Sequence, residues 1–402
     1  MKFLRNLLDK QRPMFEKGGK LEKYYYLFEA GETFMFVPNH VTGKEGVQVR
    51  DAVDLKRFMM TVVFAMIPCL LFGIWNSGYQ HFIAVGEEPE FWASVALGAQ
   101  LVLPIVLVSY TAGGIVEVIF AVVRKHPINE GFLVTGMLIP LVMPVTIPLW
   151  QVALATIFAV LIAKEVFGGT GMNVLNVAMT ARAFLYFAYP TDISGDVWTY
   201  YGGQEVVEGY TGATPLAVAA QASIDKVNVV GAWNASWFGQ FGDLFGDWNL
   251  FLGGYPGSIG ATSVLMCLIG AVILIMTRVA SWKIIVSCFA GAAAMGYFNN
   301  FIGGSAYMEM PGYYHLIIGG LAFGAVFMAT DPVSAAHTET GKWIYGFLIG
   351  VLTVIIRVFN PAYPEGIMLA VLLMNVMAPL IDHYVVEANK TRRLKRLSRA
   401  TV

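Results

Sequence analysis

Long stretches of this chain contain no Asp, Glu, Lys or Arg, among them residues 58–86, 91–116, 131–163, 248–277 and 310–330. A helix needs about 20 apolar residues to cross a bilayer, so each stretch is long enough to do so. Soluble domains carry about 25% charged residues. Here 13% of 402 residues are charged and 57% are hydrophobic, too few charges to coat a soluble surface. The pattern predicts an all-α polytopic membrane protein and argues against an ordinary soluble enzyme. A net charge of −1 supplies no basic field for nucleic acid. Cys69, Cys267 and Cys288 lie far apart in apolar runs and read as packing thiols, not a disulfide or metal framework.

The few charges orient the chain. Lys and Arg cluster in residues 1–57 and in the tail from Lys390. Basic residues favour the cytoplasmic side. With both termini inside, ten spans are predicted, at about 58–77, 95–122, 132–148, 150–167, 175–189, 259–277, 284–301, 314–330, 343–359 and 366–384. This arrangement leaves only Lys226 and Arg357 of the 26 Lys and Arg on the outer side. The span at 132–148 is broken by Pro140, Pro144 and Pro148. The segment 190–255 has seven acids and one lysine and is placed outside. The start, MKFLRNLLDKQR, is too short in apolar residues for a secretory signal and reads as an amphipathic cytoplasmic or interfacial helix.

The expected organisation is a cytoplasmic segment 1–57, a five-helix membrane unit 58–189, an outer segment 190–255, a second five-helix unit 256–384 and a basic tail 385–402. Two odd-numbered halves must be inverted relative to each other, as in many transporters. Phe167-Gly168-Gly169 before Asn173 and Asn176, and Phe323-Gly324 before Asp331-Pro332, both place polar helix-breaking residues after an apolar helix. Sites in such folds gather at broken helices, where backbone groups are free to bind.

No Walker A motif and no Gly-x-Gly-x-x-Gly after a strand is present, so the chain is not expected to bind ATP or NADH by itself. The six histidines form no i, i+4 ligand pair for zinc or haem. In the outer segment, Glu208-Gly209-Tyr210-Thr211-Gly212-Ala213-Thr214 resembles a flavin-transferase acceptor motif, in which the last threonine takes FMN through a phosphoester. The motif usually begins with Asp, where this chain has Glu208. The alternative is a turn in which Thr214 caps a helix opened by Pro215. Glu117, inside a span, must face protein, water or a cation, since a carboxylate there costs about 2.5–3.5 kcal/mol. It is read either as a ligand for a hard cation such as Na⁺ or as the ion-pair partner of Lys164, Arg182 or Arg357. Asp331 reads as a helix-end or turn residue and Asp382 as a residue at the inner interface.

Six motifs resemble one family along nearly the whole chain. They are Arg50-Asp51-Ala52-Val53-Asp54-Leu55-Lys56-Arg57, Gly113-Gly114-Ile115-Val116-Glu117-Val118 and Arg124-Lys125-His126-Pro127-Ile128-Asn129-Glu130-Gly131. The others are Ala163–Gly171, Phe327–Ala335 and Asn360–Gly366. Together they resemble the B subunits of the Na⁺-translocating NADH:quinone oxidoreductases and, more distantly, the D subunits of Rnf complexes. The long segment 1–57 favours the former.

The resemblance implies a urea-transporter-like fold of two inverted five-helix repeats in a bacterial inner membrane. It implies electron transfer from NADH, oxidised on a partner, through covalent FMN on Thr214 and non-covalent riboflavin to quinone, coupled to Na⁺ export. Asn173 and Asn176 match the riboflavin asparagines, although Val177 stands where the family usually has Pro. Gly113 and Gly114 match quinone-site positions, and Glu117, Asp331 and Asp382 match acids of the sodium pathway. Implied partners are the other subunits (A, C, D, E and F) of a six-subunit complex, quinone, membrane lipid and a flavin transferase. The competing class is a secondary transporter or channel without redox chemistry, which explains the spans but not the Glu208–Thr214 segment.

Overall fold

In the computed structural model of this chain, which describes residues 2–16, 18–36, 46–47, 53–126, 128, 131–240, 243–360 and 363–400, every regular element is helical. The N-terminal segment forms α1 (Lys2–Phe15) and α2 (Tyr25–Met35). α1 is the expected amphipathic helix. Its Phe15 stacks on Phe28 of α2 with ring centroids 4.8 Å apart, while Phe3, Leu7 and Met14 stay exposed.

The apolar stretches become α3 (Leu55–Val85), α4 (Phe91–Arg124) and α5 (Gly131–Leu141). Next come α6 (Leu149–Phe158), which continues as a π-helix over Ala159–Glu165, and α7 (Val177–Ala188). Four short helices follow, α8 (Pro215–Ile224), α9 (Val229–Ala235), α10 (Trp237–Gln240) and α11 (Asp247–Leu252). The chain then forms α12 (Val264–Met276), α13 (Trp282–Ile302), α14 (Tyr314–Ile317) and α15 (Leu321–Phe323). α15 runs on as a π-helix over Gly324–Met328, and α16 (Glu339–Phe359) and α17 (Ile367–Ala400) end the series. Among the described residues, five helices, α3, α4, α13, α16 and α17, are long and apolar enough to cross a membrane. The architecture is that of an all-helical polytopic membrane protein.

Small residues let the long helices touch backbone to backbone. A Cβ on Gly98 of α4 would stand 1.7 Å from the Ile74 carbonyl oxygen of α3, and one on Gly350 of α16 would stand 2.0 Å from that of Cys288 on α13. Without a hydrophobic drive between helices in lipid, such close packing is a main source of association. Cys69 and Cys267 meet across α3 and α12 with their Sγ atoms 3.9 Å apart, and all three cysteines are buried free thiols.

Two elements are interrupted inside the apolar layer. α5 has 11 residues and spans only about 16 Å. Pro140 sits in its last turn, and the turns that follow, holding Pro144 and Pro148, do not continue it. The span expected as one helix over 314–330 is split: the chain leaves α14 at Ile318 and passes Gly319 and Gly320, both at φ +69°, before α15. That left-handed conformation suits glycine and ends a helix.

The carbonyls exposed at both breaks are claimed by other elements, which is what lets irregular backbone persist at membrane depth. Ile259 N–H donates to Met143 O at 3.1 Å and Gly260 N–H to Leu141 O at 2.7 Å. Arg182 of α7 donates to Val142 O. Arg357 of α16 donates to the carbonyls of His315 (2.7 Å), Ile318 (2.9 Å) and Gly319 (3.1 Å). Arg357, which charge placement puts on the outer side, is fully buried and serves the helix break. Glu365 joins the two breaks, pairing with Arg182 at 2.5 Å and accepting the Arg357 Nε–H at its carbonyl at 3.0 Å. The broken elements run antiparallel: Gly131, at the start of α5, and Thr330 line one cavity, while Val142 and Gly320 line another.

The segment 190–255, read as a polar loop, has an aromatic core of its own. Tyr210, Trp233 and Phe238 are buried there with Leu216 and Leu250. Trp233 packs edge-on against Tyr314 at 4.9 Å, and Val207 N–H donates to Ala84 O at 2.9 Å, docking this layer on the last turn of α3.

Candidate functional site

At the other end of α3, a cavity enclosing about 770 Å³, part of it open to solvent, lies among α3, α5, the π-helical end of α6 and the start of α7. Asn173, Asn176, Lys164, Thr170 and Asp331 all reach it, and Phe58 and Met59 form an apolar wall. The sequence separates these residues widely; the fold brings both predicted flavin asparagines and one of the predicted acids to a single site.

Each polar group has a defined state. Asn176 Oδ1 accepts the Met179 N–H at 3.1 Å and caps α7, so Val177, in place of the family's Pro, opens a well-capped helix. Asn173 Nδ2 donates to Leu175 O at 3.0 Å. That leaves Asn176 Nδ2 as a donor and Asn173 Oδ1 as an acceptor without protein partners among the described residues. Thr170 Oγ1 is buried and also lacks a partner. An unpaired buried polar atom on a cavity wall calls for a ligand or ordered water. The set of one amide donor, one amide acceptor and a hydroxyl beside aromatic and thioether walls fits an uncharged flavin, which offers both donors and acceptors. Thr170 and Lys164 were not singled out for this site from sequence; only the Gly-rich stretch 168–171 marked the neighbourhood.

Glu117 pairs with Lys164, and both are buried. Of the three ion-pair partners open to it, the fold selects Lys164, a residue of the cavity wall. Beside this pair, Arg124 binds Glu165 at 3.2 Å through its carboxylate and at 2.8 Å through its carbonyl. Gly113, one turn before Glu117, is buried where a Cβ would meet the Phe132 ring at 2.1 Å, whereas Gly114 faces open space. Asp331 accepts the Val333 N–H at 3.1 Å and the Ser334 hydroxyl at 2.8 Å, the hydrogen bonding of a turn residue, while lining the cavity. Asp382 is not at this cavity. It accepts the N–H groups of His337 (2.7 Å) and Thr338 (3.0 Å) and the Thr338 hydroxyl, tying α17 to the start of α16.

Thr214 lies elsewhere. It caps α8, its Oγ1 accepting the Ala217 N–H at 3.1 Å, with Pro215 at the first helical position. The capping alternative is therefore realised, and the residue is half-buried. The acceptor segment is held by Tyr210, which hydrogen-bonds Thr199 at 3.0 Å and sits among Tyr201, Trp237 and Phe238; burial pushes its phenol pKa up. Gly212 lies where a Cβ would be 2.3 Å from Asp196 O. Glu208 is exposed. The cavity uses Phe58, near the start of α3, and the Thr214 layer docks on Ala84, near its end. At 1.5 Å per residue the two ends are about 40 Å apart.

The sequence profile of the NQR2, RnfD, RnfE family matches residues 42–391. The B subunit of a Na(+)-translocating NADH-quinone reductase from Chromohalobacter salexigens is 49% identical, over 98% of this chain and 96% of the relative. Those from Stutzerimonas stutzeri and Azotobacter vinelandii are 46% and 47% identical, over 98% of this chain and 99% of each relative. The chain belongs to this family of B subunits. Of the motif positions, Arg50, Asp51, Ala52, Pro127, Asn129, Glu130, Pro361 and Ala362 lie outside the described residues.

Proposed function

We propose that the chain is the flavin-carrying membrane subunit of a respiratory complex that passes electrons from NADH, oxidised on a partner subunit, to quinone and exports Na⁺. The near full-length identity to B subunits of Na(+)-translocating NADH-quinone reductases carries this reading. Thr214 holds FMN by a phosphoester on the outer side, and Asn173 and Asn176 hold riboflavin in the inner cavity. The N-terminus of α8 favours a phosphoester there, because the positive end of the helix dipole attracts negative charge. Thr170, Asn173 and Asn176 orient the riboflavin, and Phe58 and Met59 keep water from its face. The flavins supply the redox chemistry, and the protein fixes their place and surroundings.

Gly113 and Gly114 belong to the quinone site, and Glu117, Asp331 and Asp382 to the sodium pathway. Both termini face the cytoplasm of a bacterium, and residues 58–189 and 256–384 are inverted five-helix repeats around the outer segment 190–255. Gly131, Gly136 and Pro144 of the first broken element recur at identical spacing as Gly319, Gly324 and Pro332 of the second, which supports the repeat. The implied partners are the other subunits of the complex, a flavin transferase, quinone and lipid.

In-gel fluorescence tests the reading. Chain produced beside a flavin transferase should fluoresce on a denaturing gel, and Thr214→Val should abolish the signal. A dark wild-type band, with Thr214 unmodified by mass spectrometry, would favour a transporter without redox chemistry.

A further inference from the structure

The cavity at the start of α7 has a single cation on its wall. Among the described residues that line it, Lys164 is the only Lys, Arg or His, and Asp331 is the only Asp or Glu. Asp331 has its carboxylate engaged by its own turn, on the Val333 N–H and the Ser334 hydroxyl. Lys164 is 3% exposed, and its ammonium has one hydrogen-bond partner among the described residues, Glu117. An ammonium has three N–H donors, so two are left unanswered by protein. Glu117 does not line the cavity, so of this pair the cation is the member that reaches it. α7 adds to the same field: Asn176 and Val177, at its N-terminus, line the wall with the positive end of the helix dipole.

An unusual turn holds Lys164 in place. The residue lies in the π-helix Ala159–Glu165, where the Val166 N–H donates to Leu161 O at 3.0 Å, five residues back. Such turns gather at functional sites. Lys164 and Glu165, neighbours in sequence, are both buried against α4, the first on Glu117 and the second on Arg124 at 3.2 Å. For stability alone, an apolar pair of similar volume would serve as well as a buried ion pair. A fixed cation in a site that excludes water acts instead on charge that develops beside it. An electron that reaches the cavity without a proton adds one negative charge there, and an uncharged oxidised flavin brings none.

We propose that Lys164 tunes the non-covalent flavin, its ammonium stabilising the negative charge gained on reduction, while Glu117 holds that ammonium in position. The electron comes from NADH, oxidised on a partner, through the FMN on Thr214, and leaves to quinone. This role rests on the proposed placing of riboflavin in this cavity. Spectroelectrochemical titration of the intact complex tests it, with the flavin content of each preparation measured first. Lys164→Gln should lower the midpoint potential of the non-covalent flavin by about 30–90 mV, a three- to thirtyfold change in its one-electron equilibrium constant. Lys164→Arg should hold that constant within about threefold of the wild type, and the FMN on Thr214, about 40 Å away, should not respond to either change. Where Lys164→Gln does not assemble, Glu117→Leu with Lys164→Met, which strands no charge, should show the same fall. A wild-type potential in a neutral variant that keeps its flavin would leave Lys164 as the counter-ion of Glu117 and nothing more. Loss of the flavin from folded Lys164→Gln would also refute the role, because the ammonium would then be holding the oxidised flavin rather than its added charge. In either case the flavin reading stands so long as Asn173→Leu and Asn176→Leu strip the flavin. If both asparagine variants keep full flavin content, the flavin lies elsewhere and both fall together.

Discussion

Asn176 does two jobs with two atoms. Its Oδ1 caps α7 and its Nδ2 is left for the cavity. Asn176→Asp keeps a capping oxygen and removes the donor. It should lower non-covalent flavin per chain with little change in thermal stability, whereas Asn176→Leu should lower both, the lost cap costing about 1 kcal/mol. Full flavin content in both variants would remove Asn176 from the site. Glu117 calls for a paired design, because Glu117→Leu alone strands Lys164 in the interior. Breaking a buried pair costs about 3–5 kcal/mol, and replacing both partners recovers most of it. Glu117→Leu should therefore lower the thermal midpoint sharply, and Glu117→Leu with Lys164→Met should restore it. If Glu117 handles Na⁺, the restored double variant still shows weakened sodium stimulation of quinone reduction. A wild-type sodium response in it would leave the residue a structural role only.

Among elements, the two broken helices are the least regular and the most heavily supported. Arg357 satisfies three carbonyls at the second break and a fourth, from Glu365, beside it. Arg357→Met fills similar space but leaves these carbonyls unpaired inside the membrane layer, at about 1–3 kcal/mol for each unsatisfied group. It should reduce the folded yield in detergent far more than Arg392→Met in the exposed tail, as monodispersity in size-exclusion chromatography would reveal. Equal yields would mean that water or lipid reaches the break. Proline signalled the first break. At the second, two adjacent glycines inside an apolar run could equally have served helix packing, and the left-handed φ of both became evident only in the fold.

For the molecule as a whole, the proposed sites sit at opposite ends of α3, which makes sidedness a direct check. Lys226→Cys, in the exposed turn after α8, should react with a membrane-impermeant maleimide from the outer face only. Arg392→Cys, in the exposed tail of α17, should react from the inner face only. Labelling of both from one side would overturn the proposed topology and, with it, the placing of the two flavins.

Much of this was legible in the sequence. Charge-free length fixes where apolar helices lie, and a capping residue such as Thr214 marks where a helix begins, because these are local properties of the chain. Resemblance to known motifs named Asn173, Asn176 and Thr214, because each stands in a short, recognisable stretch. The tertiary structure alone decided who meets whom. Glu117 could have paired with any of three cations, and packing of α4 against α6 chose Lys164. Charge placement gave Arg357 a side, and only the broken helix gave it carbonyls to hold. Thr170 is an ordinary threonine in a glycine-rich run until burial strips its hydroxyl of water and aims it at the cavity. Hydropathy adds up residue by residue along a chain, whereas desolvation and hydrogen bonding depend on neighbours brought from far along it.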